Sequence, residues 1–193
     1  ESGSGKSTIL KLIAGLLPLK GNEVRVMHND KFKAINNIPR LKRYGRLQIV
    51  FQDNVGTLYK KETIKSALDH IAKIKSKKIK NLDYKQAKVK IQEKAEYFFE
   101  KLLLVSSSHD QDTPDKDLSI TTMDELLNKK VIELSMGMLR RFALAKALLL
   151  LDIYTETDIQ APKILLLDEI SRGLDKENKK KLTSFLKQMQ KEY

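Results

Sequence analysis

The first eight residues, Glu1-Ser2-Gly3-Ser4-Gly5-Lys6-Ser7-Thr8, constrain this chain more than any other stretch. Gly5-Lys6-Ser7-Thr8 followed at once by Ile9-Leu10-Lys11-Leu12-Ile13 is the end of a phosphate-binding loop opening a helix. Glycines let successive backbone N–H groups curl around anionic oxygens, and the helix N-terminus behind them adds its dipole. In such a loop Lys6 reaches the β- and γ-phosphates of a nucleotide, and Ser7 offers its hydroxyl to Mg²⁺. The full pattern, G-x-x-x-x-G-K-[ST], needs a glycine one residue before Glu1, so the sequence reads as an excerpt that starts inside its own motif. The competing reading, a flexible Gly/Ser-rich terminus, fails against the helical pattern that follows immediately.

The chain of 193 residues supports one domain, 1–193, with room for a subdomain and a buried core. It is 41% hydrophobic, and no unbroken apolar run approaches the length of a membrane span, which predicts a soluble globular fold. No segment reads as a signal peptide, so a role at a membrane requires another chain to hold it there. Zero cysteines exclude disulfides and thiolate metal sites here. The net charge of +12 suits anionic partners, but only 7 of the 37 basic residues are Arg and Trp is absent. Nucleic-acid readout leans on Arg forks and stacked aromatics, so the surplus reads as solvated surface near lipid headgroups.

In chain order, residues 7–17 are expected to be a helix ended by Pro18 and Gly21. Residues 23–27 alternate like a strand, Asn29-Asp30 reads as a turn, and 31–46 as basic and irregular. Leu47–Phe51 is a strand that delivers Gln52-Asp53 to its carboxyl end, where ligands sit in open α/β sheets. From Lys61 to Val105 the pattern is helical, with Lys73–Lys80 as a solvated helix end or loop. Residues 106–125, with six acidic residues and one lysine, read as an inserted surface loop whose His109 is a poor metal ligand. Residues 126–151 are helical, interrupted at Ser135-Met136-Gly137-Met138, and 152–162 form a polar loop. Ile164–Leu167 is a buried strand capped by Asp168-Glu169, and 178–193 a terminal helix. Strands interleaved with helices give an α/β fold with a mostly parallel sheet.

Four elements now stand in one order: a phosphate loop, a strand-end glutamine, Leu134-Ser135-Met136-Gly137, and an apolar strand ending in two carboxylates. Together they resemble the nucleotide-binding domain of ABC-type ATPases over nearly the whole chain. The resemblance implies a P-loop NTPase core at 1–52 and 134–193, with an inserted helical subdomain at 53–133. It implies ATP and Mg²⁺ as cofactors. Ser2, Gly3, Ser4, Gly5, Lys6, Ser7 and Thr8 would cradle phosphate, with Lys6 also catalytic. Gln52 matches the Q-loop glutamine, which touches Mg²⁺ and the attacking water. Ser135 and Gly137 match the signature motif that closes on ATP held by a second domain, and Asp175 ends the D-loop. Asp168, with Ser7 and Gln52, would hold Mg²⁺, and Glu169 would be the general base. A carboxylate beside bound triphosphate can polarise water, and the apolar run behind the pair keeps both acids rigid.

The resemblance further implies a head-to-tail pair with a second ABC ATPase domain, identical or not, and composite sites needing two chains. Transmembrane permease subunits and a solute-binding protein complete the expected partners, at the cytoplasmic face of the membrane. Nucleic acid is not expected. Met136 stands where the first signature glycine is usual, Met138 where glutamine is, and Ile170 where proline follows the glutamate. Leu47–Asp53, Leu58, Thr63-Ile64 and Met138 resemble oligopeptide, dipeptide and nickel importers. Two rivals stay open: a non-transport ABC ATPase acting on nucleic acid or ribosomes, favoured by the charge, and a low-activity regulatory subunit, suggested by Met136. The switch histidine and the adenine-stacking aromatic are expected outside 1–193, and the excerpt alone is expected to be inactive.

Overall fold

A computed structural model describes residues 5–17, 24–28, 31–34, 47–51, 61–105, 122–157 and 163–192, with the backbone alone for 26–28, 31–34 and 154–157. The phosphate-loop helix, α1 (Lys6–Ile13), begins at Gly5, whose φ of 79° is left-handed backbone that a glycine adopts without strain. Among the described residues no side chain caps α1, and a helix directs its first-turn N–H groups out of its N-terminal end, as an anion site requires. The helix stops earlier than expected. Gly15 turns left-handed at φ 70°, Leu16 N–H donates to Lys11 O at 2.9 Å and Gly15 N–H to Leu12 O at 3.0 Å. This double bond pattern is the usual glycine stop of a helix, so Gly15 ends α1 before Pro18 and Gly21, which lie outside the described residues.

β1 (Arg25–His28) pairs antiparallel with β2 (Lys31–Ala34), in a register from Arg25↔Ala34 to His28↔Lys31. The strand at 31–34 corrects the expectation of irregular chain there. Its lysines alternate with Phe32 and Ala34, a period of two that the basic composition hid. Asn29 and Asp30 lie outside the described residues.

β3 (Leu47–Val50) and β4 (Ile164–Leu167) pair in parallel, Leu47↔Ile164 through Val50↔Leu167. Asp168 N–H extends the ladder to Val50 O at 2.9 Å. Parallel pairing puts both carboxyl ends at one edge, which is what brings Asp168 to the phosphate loop. The sheet at the site is therefore parallel, as expected, while the β1–β2 hairpin is antiparallel.

Between β3 and β4 run the helices of the expected subdomain. α2 (Ile64–Lys78) is capped by Thr63, whose hydroxyl accepts from Ser66 N–H at 3.2 Å. α3 (Tyr84–Lys101) starts with a reciprocal box: Asp83 accepts from Gln86 N–H, and Gln86 accepts from Asp83 N–H. α4 (Met123–Asn128) repeats this with Thr122 and Glu125, so the acidic stretch becomes helical two residues before its expected end at 125. Residues 106–121, His109 included, lie outside the described residues. A bridge from Thr63 to Lys130 ties the start of α2 to the end of this unit.

α5 (Met136–Thr157) is the long helix of the fold, and it corrects two expectations. Ser135–Met138 is its beginning rather than an interruption, and 152–157 continue it rather than form a loop. The reason is tertiary: Ile153 is fully buried and Asp152 is ion-paired to α2 and α3. The same pairing makes Lys75, expected in a solvated helix end, a buried residue. α6 (Lys176–Glu192) closes the described chain.

The core lies where α2, α3, α5 and α6 meet. Phe98 of α3 is fully buried, with ring centroids 6.1 Å from Phe185 of α6, and Phe99 lies 6.1 Å from Phe142 of α5. Such edge-on and tilted pairs add to plain area burial. Phe98→Ala is expected to destabilise the fold by about 3–5 kcal/mol, read as a lowered thermal midpoint. A midpoint within a degree of the parent's would mean the α3–α6 contact is not formed in solution.

Candidate functional site

Ser7, on the first turn of α1, donates its hydroxyl to Asp168 Oδ2 at 2.7 Å. The two residues come from opposite ends of the chain, and Asp168 is only 7% exposed. A buried carboxylate needs a partner, and Ser7 supplies one from the phosphate loop. Lys6 and Thr8, on either side of Ser7, are exposed on the same turn. Mg²⁺ demands oxygen ligands and usually takes one or two from protein, with phosphates and waters completing its shell. Ser7 Oγ and Asp168 Oδ2, held side by side at the start of α1, fit that demand.

Glu169 follows in the turn after β4. Its φ of 50° is left-handed, which costs a non-glycine residue roughly 1–2 kcal/mol. Such strain gathers where a side chain must be aimed. The Glu169 side chain is 44% exposed, and its Oε2 lies 3.4 Å from Arg172 Nη1. The turn is closed by Arg172 N–H donating to Glu169 O at 3.1 Å. Sequence reading did not foresee the Arg172 pairing, although the i,i+3 spacing was the available signal.

Ser135 sits just before α5, where its hydroxyl accepts from Met138 N–H at 3.2 Å and its carbonyl from Leu139 N–H at 2.8 Å. Serine at this position is a helix cap in its own chain. A Cβ on Gly137 would lie 3.6 Å from Arg141 Nη1 and 3.9 Å from Ser135 Oγ, which is ordinary contact. Nothing described in the chain itself therefore demands glycine at 137. Met136 is 46% exposed on the first turn of α5, with Ile132 63% exposed just upstream.

Asp175 caps α6: its Oδ1 accepts from Asn178 N–H at 2.8 Å and its Oδ2 from Asn178 Nδ2 at 2.6 Å. The Asn178 backbone bond, with the amide bond added, holds the Asp175 carboxyl below the usual carboxylate range. Because the folded value is depressed, the stabilisation is present above the unfolded value of about 3.9 and is lost as pH falls through the folded one. Asp175→Ala should therefore lower the thermal midpoint near neutral pH, with the gap to the parent closing toward pH 2. A gap that does not change with pH would show that the carboxylate is not the cap.

Ser2, Gly3, Ser4 and Gln52 lie outside the described residues. Of the expected site residues that are described, Ser7 and Asp168 touch, Glu169 follows Asp168 in sequence, and Gly5, Lys6 and Thr8 lie around Ser7. Ser135, Gly137 and Asp175 stand at the starts of α5 and α6.

The ABC transporter family model matches residues 1–172. The chain belongs to the ABC transporter family. Spermidine/putrescine import ATP-binding protein PotA of Bacillus cereus is 28% identical over 191 residues, covering 98% of this chain and 44% of that protein. Energy-coupling factor transporter ATP-binding protein EcfA2 of Streptococcus agalactiae is 29% identical over 196 residues, covering 99% of this chain and 55% of its own length. The ABC chain thus spans about half the length of the curated relatives it matches. CbiO1 of Clostridium perfringens, described as part of the ABC transporter complex cbiONQ, superposes with a TM-score of 0.59 at 23% identity, covering all of this chain and 60% of that one. This likeness shows the P-loop NTPase fold shared by ABC ATPases. Neither relative named here by sequence carries the peptide- or nickel-importer name that Met138 and Leu47–Asp53 suggested.

Proposed function

We propose that the ABC chain is the ATP-binding and hydrolysing part of a membrane importer, peripheral at the cytoplasmic face and paired head to tail with a second ABC ATPase domain. The observation that carries the proposal is the 2.7 Å contact of Ser7 with buried Asp168, the oxygen pair a nucleotide-bound Mg²⁺ requires. When bound, Mg²⁺ would neutralise charge on the β- and γ-phosphates. Lys6 and the first-turn N–H groups of α1 would hold the same phosphates, and Ser7 and Asp168 would hold the metal. Glu169 takes a proton from the attacking water as general base. Ser135 and Gly137 would close on nucleotide held by the paired domain, which accounts for a glycine at 137 where its own chain leaves room for a side chain. Gln52 would complete the metal and water contacts.

The partners are proposed to be the second ATPase domain, transmembrane permease subunits and a solute-binding protein. The name of PotA supports an import system and that of EcfA2 a transporter, but the solute would be set by subunits other than this one. The peptide-importer subclass rests on the sequence of Leu47–Asp53, Leu58, Thr63-Ile64 and Met138. Reconstitution with permease subunits, comparing stimulation of ATP hydrolysis by oligopeptide and by spermidine, decides between those solutes. The proposal itself is tested on the full-length parent: Mg²⁺-dependent ATP hydrolysis and co-purification with a membrane subunit are expected. Salt-sensitive nucleic-acid binding without a membrane partner would instead favour the non-transport reading that the +12 charge allows.

A second reading, a regulatory subunit with little hydrolysis, is favoured by the exposure of Met136 at the start of α5. Met136→Gly in the assembled complex tests it. Under the main reading the rate changes by less than about threefold, whereas a rise of tenfold or more, at least 1.4 kcal/mol, means Met136 obstructs the approach of the paired domain.

A further inference from the structure

Four charged residues from four helices meet outside the residues assigned to the nucleotide site. Lys75 of α2 lies 3.7 Å from Asp152 of α5, and Lys94 of α3 lies 3.5 Å from Asp152 and 3.3 Å from Glu192 of α6. Lys75 is 3% exposed and Asp152 14%. The Lys94 ammonium also lies 5.6 Å from the Phe98 ring centroid, the same ring that packs against α6. Partial burial works against the charged form of Lys94, yet Asp152 and Glu192 together raise its pKa, so it stays protonated across the physiological range.

The placement of these charges gives them a task. Asp152 lies seventeen residues after Ser135 along α5, and Glu192 seventeen residues after Asp175 along α6. The stretch of each helix from its functional start to its charged residue is therefore a strut of about 26 Å. Lys94 joins the two charged residues. With struts of that length, a change of about 10° in the angle between them moves one end of each by about 4–5 Å relative to the other. Rigid helices carry such a displacement without loss, because packed cores shift between discrete arrangements rather than deform.

We propose that the Lys94–Asp152–Glu192 cluster is a clasp that sets the distance between Ser135, at the start of α5, and the Glu169–Asp175 segment leading into α6. Lys94 is then a positioning residue for ATP hydrolysis, acting through two helices. This rests on the reading above that Ser135 and Glu169 serve ATP sites of the paired domains: each chain presents its signature serine to the other's nucleotide, so an error in this internal distance misplaces one group whenever the other is seated. Nucleotide capture by Lys6 and Ser7 does not depend on it. Lys75, the most buried of the four, anchors Asp152 and is left intact in the test.

The chain has no cysteine, so spin labels can be placed on Glu133→Cys and Lys179→Cys, exposed positions near the two starts, in the full-length parent with any cysteine elsewhere replaced. The parent is expected to give one narrow distance distribution. Lys94→Gln, which is one atom shorter and removes the charge, broadens or shifts it by about 2 Å or more, and Lys94→Arg restores it. In steady-state ATPase assays Lys94→Gln lowers kcat by roughly tenfold or more with KM little changed, and Lys94→Arg recovers most of the rate. Glu192→Gln, which breaks one arm only, falls between the two. Unchanged distances in Lys94→Gln overturn the clasp, as does a rate loss that arginine does not rescue. A parent that does not hydrolyse ATP removes the functional reading instead, and the distance measurement still decides the clasp.

Discussion

Glu169→Gln in the intact parent protein is expected to cut turnover by about two to four orders of magnitude while MgATP still binds. The residue stands directly after buried Asp168, on strained left-handed backbone that fixes where its side chain starts. Glutamine keeps the size, the backbone demand and a hydrogen-bond acceptor toward Arg172, and it removes only the basic oxygen. Arg172 holds Glu169 at 3.4 Å with both side chains well exposed, a pair too weak to lock it away from a nucleotide. The readouts are steady-state phosphate release and a titration with labelled ATP. Preserved binding with lost turnover is the expected split. Undiminished hydrolysis would remove Glu169 from the chemistry and leave the left-handed turn unexplained.

Lys6→Ala is expected to weaken ATP binding by roughly 10- to 100-fold, the worth of a hydrogen bond to a charged group. Lys6 is exposed on the first turn of α1. Alanine is the best helix former, so α1 should keep its stability and the thermal midpoint should hardly move. A loss of affinity without loss of stability therefore isolates the phosphate contact. Equal affinity in parent and variant would mean that the backbone N–H groups alone hold the phosphates, or that this loop holds none.

Much of this was legible in the sequence because its signals are local. Gly5-Lys6-Ser7-Thr8 carries its chemistry within four residues, and the apolar run Ile164–Leu167 announces a buried parallel strand. Where the reading went astray, a local signal was outweighed or overlooked. Gly15 ended α1 ahead of the more conspicuous Pro18, and the lysines of 31–34 concealed the alternation of β2. Polar composition made 152–157 look like a loop, but burial of Ile153 and the ion pairs of Asp152 keep it in α5. These are long-range effects: no window around Asp152 contains Lys75 or Lys94. The site divides in the same way. The pairing of Ser7 with Asp168 could be expected from two separate motifs, whereas the left-handed φ of Glu169 and its contact with Arg172 emerge only when β4 has a turn to make.

The central claim is that a nucleotide's Mg²⁺ is held where the start of α1 meets the end of β4. It is tested most directly by titrating labelled ATP into the parent, Ser7→Ala and Asp168→Asn, each with Mg²⁺ and with the metal chelated. The expected result is that Mg²⁺ tightens binding in the parent and does so far less in either variant. Equal Mg²⁺ enhancement in all three proteins would contradict it.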